Sequence, residues 1–227
     1  QGVDGISMFS CTAAGAALAA KRAKEAGIPI VVTDSVGTVI DAGEEVVAAI
    51  DFDWEGMGKA YANWMAENYP GEKFAILTGF FDSPPSQLIN KGMTETAEAL
   101  GQNALVTIEE TKYSPDNAVT LARDLVLSGD DLGLLFVMDE DMASAVIRML
   151  RNEGYLDNPV KVFAQNGSPA GIPLLKEGSL KYTISSSPGW EGLVAYLALD
   201  NFVQGCSDTL NQRIVLPVIP VTDANVD

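Results

Sequence analysis

Short apolar runs alternate along this chain with longer stretches in which apolar positions recur at helical spacing. The short runs predict strands over residues 6–9, 28–33, 46–50, 74–78, 105–109, 132–137, 160–164 and 182–184. Most are apolar at nearly every position, as strands covered on both faces of a parallel sheet must be. Helices between them complete a βαβ rhythm. Thr12 is placed to cap a helix that Gly27 ends, and Asp53 one that closes before Pro70. Ser114 with Pro115 opens a helix closed by Gly129, and Ser168 with Pro169 one closed by Gly178. The polar, Gly-containing segment 37–45 reads as a loop. A helical pattern from Pro188 to Gly205 is expected to shield the first part of the sheet structure. The final apolar run, 214–221, is expected to pair with the second.

Composition narrows the classes. The 227 residues suffice for one large domain or two small ones with real cores. Lys and Arg number 14 against 31 Asp and Glu, and the net charge of −17 repels phosphate backbones and anionic membranes, which argues against nucleic acid as a partner. The chain has no His, which disfavours triad hydrolases and zinc enzymes together. Cys11 and Cys206 lie too far apart in sequence for metal spacing and build no disulfide framework; Cys206, after Gly205, reads as a surface or half-buried thiol. The Ala-rich stretch from Ala13 to Ala20 is interrupted by Gly15 and followed by Lys21 and Arg22, so it is no membrane span. Gln1 to Gly5 carry no basic segment or cleavage pattern, so a leader was removed or never included.

Ligands of parallel sheets sit outside the carboxyl ends of the strands, where helix amino ends point their amides. The residues there include Phe9, Ser10, Asp34, Ser35, Asp51, Gly79, Phe80, Phe81, Tyr113, Asp139, Glu140, Gln165, Asn166, Ser186 and Trp190. Carboxylates and amides pair with vicinal hydroxyls, and aromatic faces cover the C–H surface of a sugar ring. The set lacks Lys, Arg and a glycine-rich phosphate loop, so an uncharged polyhydroxylated ligand fits it best. Asp34 and Asp139 also admit a glycosidase reading, and Asp139 a purely helix-capping one.

Five stretches in order resemble the periplasmic sugar-binding proteins of ABC transporters, the ribose-binding-like group. They are Gly2-Val-Asp-Gly-Ile6, the run from Ala26 to Asp34, Asp53-Trp-Glu-Gly-Met-Gly58, the run from Phe136 to Ala143, and the run from Lys176 to Ile184. The resemblance implies an α/β fold of two doubly wound parallel-sheet lobes joined by a three-stranded hinge, closing on one ligand and docking on a membrane permease, without catalysis. It implies a first lobe of residues 1–52 plus 187–213 and a second of 53–186 plus 214–227. The first strand here is similar to the family's third, so the first lobe is expected to be incomplete, with two or three strands. No cofactor or metal is implied, and the location is periplasmic, or extracellular as a membrane-tethered lipoprotein; a chemoreceptor is a further possible partner.

Carried over by position, the family's stacking aromatic falls on Tyr113 and its polar anchor on Asp139. The aspartate after the second strand is Asp34, with Ser35 where many relatives have arginine. Gln165 and Asn166 take the places of a Gly-Phe-Asp segment, Ser186 that of the hinge glutamine, and Gln87 that of a sugar-binding arginine. Phe9 and Trp190 complete the candidate set. The loss of both arginines favours neutral sugars, polyols, deoxysugars or furanosyl signals such as autoinducer-2. Trp64 and Met65 read as core, Trp190 as stacking or packing, and the segment Phe80 to Pro85 as rigid edge loop or ligand contact. Asn166-Gly167-Ser168 reads as a turn and helix cap. The effector-binding half of a LacI-type transcription regulator is the alternative of another class; the excess acid, the absence of His and the polar ending favour the exported binder.

Overall fold

The computed structural model describes residues 2–10, 12–34, 36–222 and 224–226. The order of elements is β1 (Ile6–Phe9), α1 (Ala13–Glu25), β2 (Ile30–Thr33), α2 (Val36–Asp41), β3 (Ala48–Phe52), α3 (Trp54–Asn68), β4 (Lys73–Thr78), α4 (Pro84–Leu100) and β5 (Leu105–Glu110). It continues with α5 (Pro115–Leu127), β6 (Leu132–Val137), α6 (Glu140–Glu153), β7 (Lys161–Asn166), α7 (Gly171–Lys176), β8 (Leu180–Ser185), α8 (Pro188–Val203), β9 (Gln212–Leu216) and β10 (Ile219–Val221). Two compact units result. One holds the residues up to Asp53 with Asp82–Pro85 and Ser187–Pro217; the other holds Trp54–Phe81, Ser86–Ser186 and the residues from Val218.

The first unit is a four-stranded parallel sheet in the order β1-β2-β3-β9. Every residue of β2 and β3 is buried, because α1 and α2 on one side and α8 on the other cover the sheet. Ala16, Ala20 and Ala23 place the small face of α1 in a core with Ile30, Val32, Val39, Val46 and Ala49. Thr12 caps α1 as expected, accepting from the Gly15 N–H at 3.2 Å. Segment 37–45 is not all loop: residues 36–41 form a helix, with Val39 fully buried in that core and Ile40 packed against it. The sheet has four strands rather than two or three, because residues 214–216 pair with β3 and not with the second sheet. Pro217 divides the final apolar run, and only β10 crosses to pair, antiparallel, with β8.

The second unit has a six-stranded sheet in the order β10-β8-β7-β6-β4-β5, parallel except for β10. All six residues of β6 are buried. Ser114 caps α5, its hydroxyl accepting from the Asn117 N–H at 3.3 Å. The last helix start is displaced: α7 begins at Gly171, and the Ser168 hydroxyl instead accepts from the Ala170 and Gly171 N–H groups in a turn before it. Tyr61 is fully buried, donates to the Ala164 carbonyl at 2.6 Å and accepts from the Ile184 N–H at 3.1 Å. Its hydroxyl thus bridges β7 and β8 where their register shifts. Burial holds its ionisation well above the ordinary 10. Trp64 stacks on Tyr182 with centroids 4.7 Å apart, in keeping with a packing role.

The glycines of the Asp53-to-Gly58 motif and of Gly92-Met93 have a packing reason. A Cβ on Gly58 would lie 2.3 Å from the Ile89 carbonyl oxygen, and one on Gly92 2.2 Å from that of Glu55. Helices α3 and α4 therefore meet backbone to backbone. Gly92→Ala forces two main chains apart and should lower the stability of the protein by about 1–3 kcal/mol, the usual range for overpacking. A denaturant midpoint unchanged by that substitution would show that the two helices do not touch.

Candidate functional site

In the first unit the carboxyl end of β2 carries Asp34, whose backbone is left-handed, at φ +57°. Its N–H still donates to the Ile50 carbonyl at 3.1 Å, so the chain turns out of the sheet while held to β3. The first turn of α8 brings Glu191 against it; Glu191 shares the sheet-facing side of that helix with the fully buried Ala195. The two carboxyls hydrogen-bond each other, and Asp51 on β3 adds a third negative group. Burial, then the charge of Glu191, pushes Asp34 up from 3.8 to about 8. Burial likewise pushes Glu191 up from 4.5 to about 7; the bond from Asp34 opposes this and the Asp51 charge adds to it. Phe9 and Trp190 are exposed, at 60% and 63%. Ser35 lies outside the described residues, as does Cys11; Cys206 is an exposed free thiol.

In the second unit the ends of β4 and β5 are zipped beyond the sheet. The Thr111 N–H and hydroxyl both donate to the Thr78 carbonyl, at 2.9 and 2.6 Å. Lys112 and Tyr113 then turn through left-handed backbone, at φ 58° and 54°. This carries the Tyr113 ring across Gly79, where a Cβ would lie 2.2 Å from the ring. Only glycine leaves room for it. Phe80 packs beside the ring at a centroid distance of 5.6 Å, and Tyr113 keeps 38% exposure. Gln87 donates to the Phe81 carbonyl at 2.9 Å while Glu110 accepts from the Phe81 N–H at 2.8 Å, so these side chains hold the loop after β4.

Next to these lie the ends of β6, β7 and β8. Asp139 caps α6, accepting from the Met142 N–H at 2.8 Å, and burial raises its carboxyl above the usual range. Its neighbour Glu140 has a different task. It is 1% exposed and accepts from the N–H groups of Gly167 and Ser168 and from the Thr183 hydroxyl at 2.6 Å, which fixes the turn after β7. The Asn166 side-chain carbonyl accepts from the Ser186 hydroxyl at 3.3 Å, and Asn166 has φ +124°. Gln165 is 6% exposed with a buried Oε1 that has no hydrogen-bond partner, and Asn90 Oδ1 is in the same position while its amide donates to Thr78 at 3.1 Å.

The candidates thus divide by unit: Phe9, Asp34 and Trp190 in the first, Gln87, Tyr113, Asp139, Gln165, Asn166 and Ser186 in the second. Asn166 and Ser186 are joined directly, and Asp34 meets a residue the sequence analysis did not single out, Glu191. Asn90 and Glu110 were also missed. An acid in the first turn of a helix reads from sequence as a partner of the helix dipole, which hides Glu191. Surface hollows beside Ile28 and Phe202, and beside Lys73 and Leu105, lie at the opposite, amino ends of the strands. Among the described residues no group of side chains could hold a metal ion, and no helix is long and apolar enough to cross a membrane.

Polar and aromatic groups thus gather at the carboxyl ends of parallel strands, where an α/β sheet takes a small solute. The chain belongs to the periplasmic binding protein domain family, whose model matches residues 1–206. A search of curated proteins by sequence finds no match. Among solved structures, a solute-binding protein of an ABC transporter from Agrobacterium vitis with bound D-fucose shares the fold with a TM-score of 0.90 at 20% identity, over 99% of this chain and 77% of that one. The Caulobacter myo-inositol binding protein, bound to myo-inositol, matches at 0.89 and 21% identity, over 100% and 76%. A periplasmic solute-binding protein from Actinobacillus succinogenes with bound D-allose matches at 0.87 and 18%, over 99% and 78%.

The carboxyl pair makes the first unit sensitive to pH. Folded Asp34 and Glu191 keep protons that the unfolded chain has already released, so unfolding releases protons and stability falls as pH rises from about 4 to about 8. Below that window both states are protonated, and above it both are ionised. Glu191→Gln should flatten this slope when melting temperatures are followed across the window; an identical slope in parent and variant would place the proton elsewhere.

Proposed function

We infer that this chain is the solute-binding component of an ABC transporter and takes a sugar or polyol at the strand ends. Family membership supports the class, and one local feature supports the ligand. Tyr113, laid across Gly79, presents an aromatic face in the unit that also carries the bare acceptors of Gln165 and Asn90 and the carboxyl of Asp139. An aromatic face takes the apolar side of a sugar ring, and buried acceptors take its hydroxyl protons. The family is periplasmic, and that is the compartment proposed; tethering as a lipoprotein and signalling to a chemoreceptor extend the same reading. Its natural partner is an ABC permease. The family is one of binding proteins rather than enzymes, and the LacI-type alternative is disfavoured by a match to the periplasmic domain along most of the chain.

A thermal-shift screen against sugars and polyols tests the reading. A ligand at about a hundred times its Kd should add about 2.7 kcal/mol of stability, and it should be recovered chemically unchanged. Asp139→Ala should weaken binding of the best ligand by about 2–4 kcal/mol, because a charged hydrogen bond is lost and hydroxyls are left unpaired. Tyr113→Ala should cost less, mainly stacking area. Calorimetry finding both variants within about 0.5 kcal/mol of the parent, the range of neutral surface changes, would move the site elsewhere.

A further inference from the structure

The acidic cluster of the first unit is more than a solvated face. Glu191 is 9% exposed and Asp51 8%. Asp34 Oδ1 and Glu191 Oε1 are both buried, and no N–H or hydroxyl of the protein donates to either. No ion pair reaches Asp34 or Glu191 among the described residues. The cations of this unit are engaged elsewhere or exposed: Lys24 pairs with Glu45, Arg213 with Asp41, and Lys21 and Arg22 lie exposed on α1. Of the strands against which α8 packs, β1 and β2 carry no charged side chain and β3 carries only Asp51. Two buried acceptors that no donor of the protein reaches, in a negative and dehydrated setting, call for a group with several donors, no lone pair and a positive charge. A hydroxyl offers one donor and brings its own lone pairs against the carboxyls. An ammonium offers three donors and none.

We propose that Asp34 and Glu191, with Asp51 behind them, recognise a primary ammonium, so that the first unit takes an aminated sugar or cyclitol in preference to a fully hydroxylated one. This rests on the sugar-binding reading and sharpens it at one substituent. Glu191 is the specificity-determining residue: its place on the sheet-facing side of α8, one turn before Ala195, is one that an apolar side chain would fill at less cost. When the ammonium enters, both carboxyls become charged and the proton they shared leaves to solvent, so binding and proton release go together.

The test compares amino sugars and aminocyclitols with their hydroxyl counterparts, beginning with glucosamine against glucose and galactosamine against galactose, by calorimetry near neutral pH in buffers of different ionisation enthalpy. N-acetylglucosamine serves as the uncharged control. The amines should bind at least about tenfold tighter than their counterparts, as charge-assisted hydrogen bonds are stronger than neutral ones, and with net proton release; acetylation should remove the advantage. Glu191→Gln should bring amine and hydroxyl ligands to similar affinity and abolish the release. Should that variant fail to fold, Asp34→Asn replaces it, since asparagine tolerates the left-handed backbone at that position. Hydroxylated sugars binding as tightly as their amines would overturn the proposal while leaving the sugar reading intact. A panel in which neither kind binds would overturn both.

Discussion

The burial of parallel strands on both faces is the constraint on which the rest of this structure depends. With β2, β3 and β6 buried at every residue, most of their length is closed to a solute. Function is confined to the places where the strands stop. There the ladder has to end, and it ends abruptly: Asp34, Tyr113 and Asn166 all have positive φ. Each such conformation costs a residue other than glycine on the order of 1–3 kcal/mol, and persists because the neighbouring hydrogen bonds over-determine it. Tyr113 shows how. Thr111 is fastened twice to Thr78, so the next residues must turn back across Gly79.

The same economy of polar groups separates acids that look alike in sequence. Glu140 is buried deeply, yet two backbone N–H groups and a hydroxyl answer its charge, and it serves the turn after β7. Asp139, one residue earlier, spends one bond on the cap of α6 and stays partly exposed at the strand end. Among the described residues no cation answers Asp34 or Glu191, and burial, with the negative charge of the neighbouring acids, holds their protons. A carboxylate satisfied by donors is architecture; a buried pair satisfied by a shared proton is an arrangement open to a ligand.

Packing glycines link the fold to its family motifs. Gly58 and Gly92 allow α3 and α4 to touch through their backbones, and this fixes the start of α4 beside the loop that Gln87 and Glu110 hold. The aromatic pair of Tyr113 and Phe80 therefore sits on a scaffold determined some distance away in sequence.

The alternation of apolar runs and capped helices was enough to place eight strands within a few residues, because strands buried on both faces and Ser, Thr or Asp ahead of a helix are local properties of the chain. The carboxyl-end rule then pointed to Asp34, Tyr113, Asp139, Gln165 and Asn166 without any coordinates. Three things were decided only in three dimensions. Residues 36–41 became a helix because Val39 found a core formed by α1 and β2. The last apolar run was divided at Pro217, one part completing the first sheet and the other the second, since pairing partners come from distant sequence. Glu191 met Asp34 across more than half the chain, and whether an acid is a dipole partner or half of a buried pair depends on what packs against it, which no local pattern records.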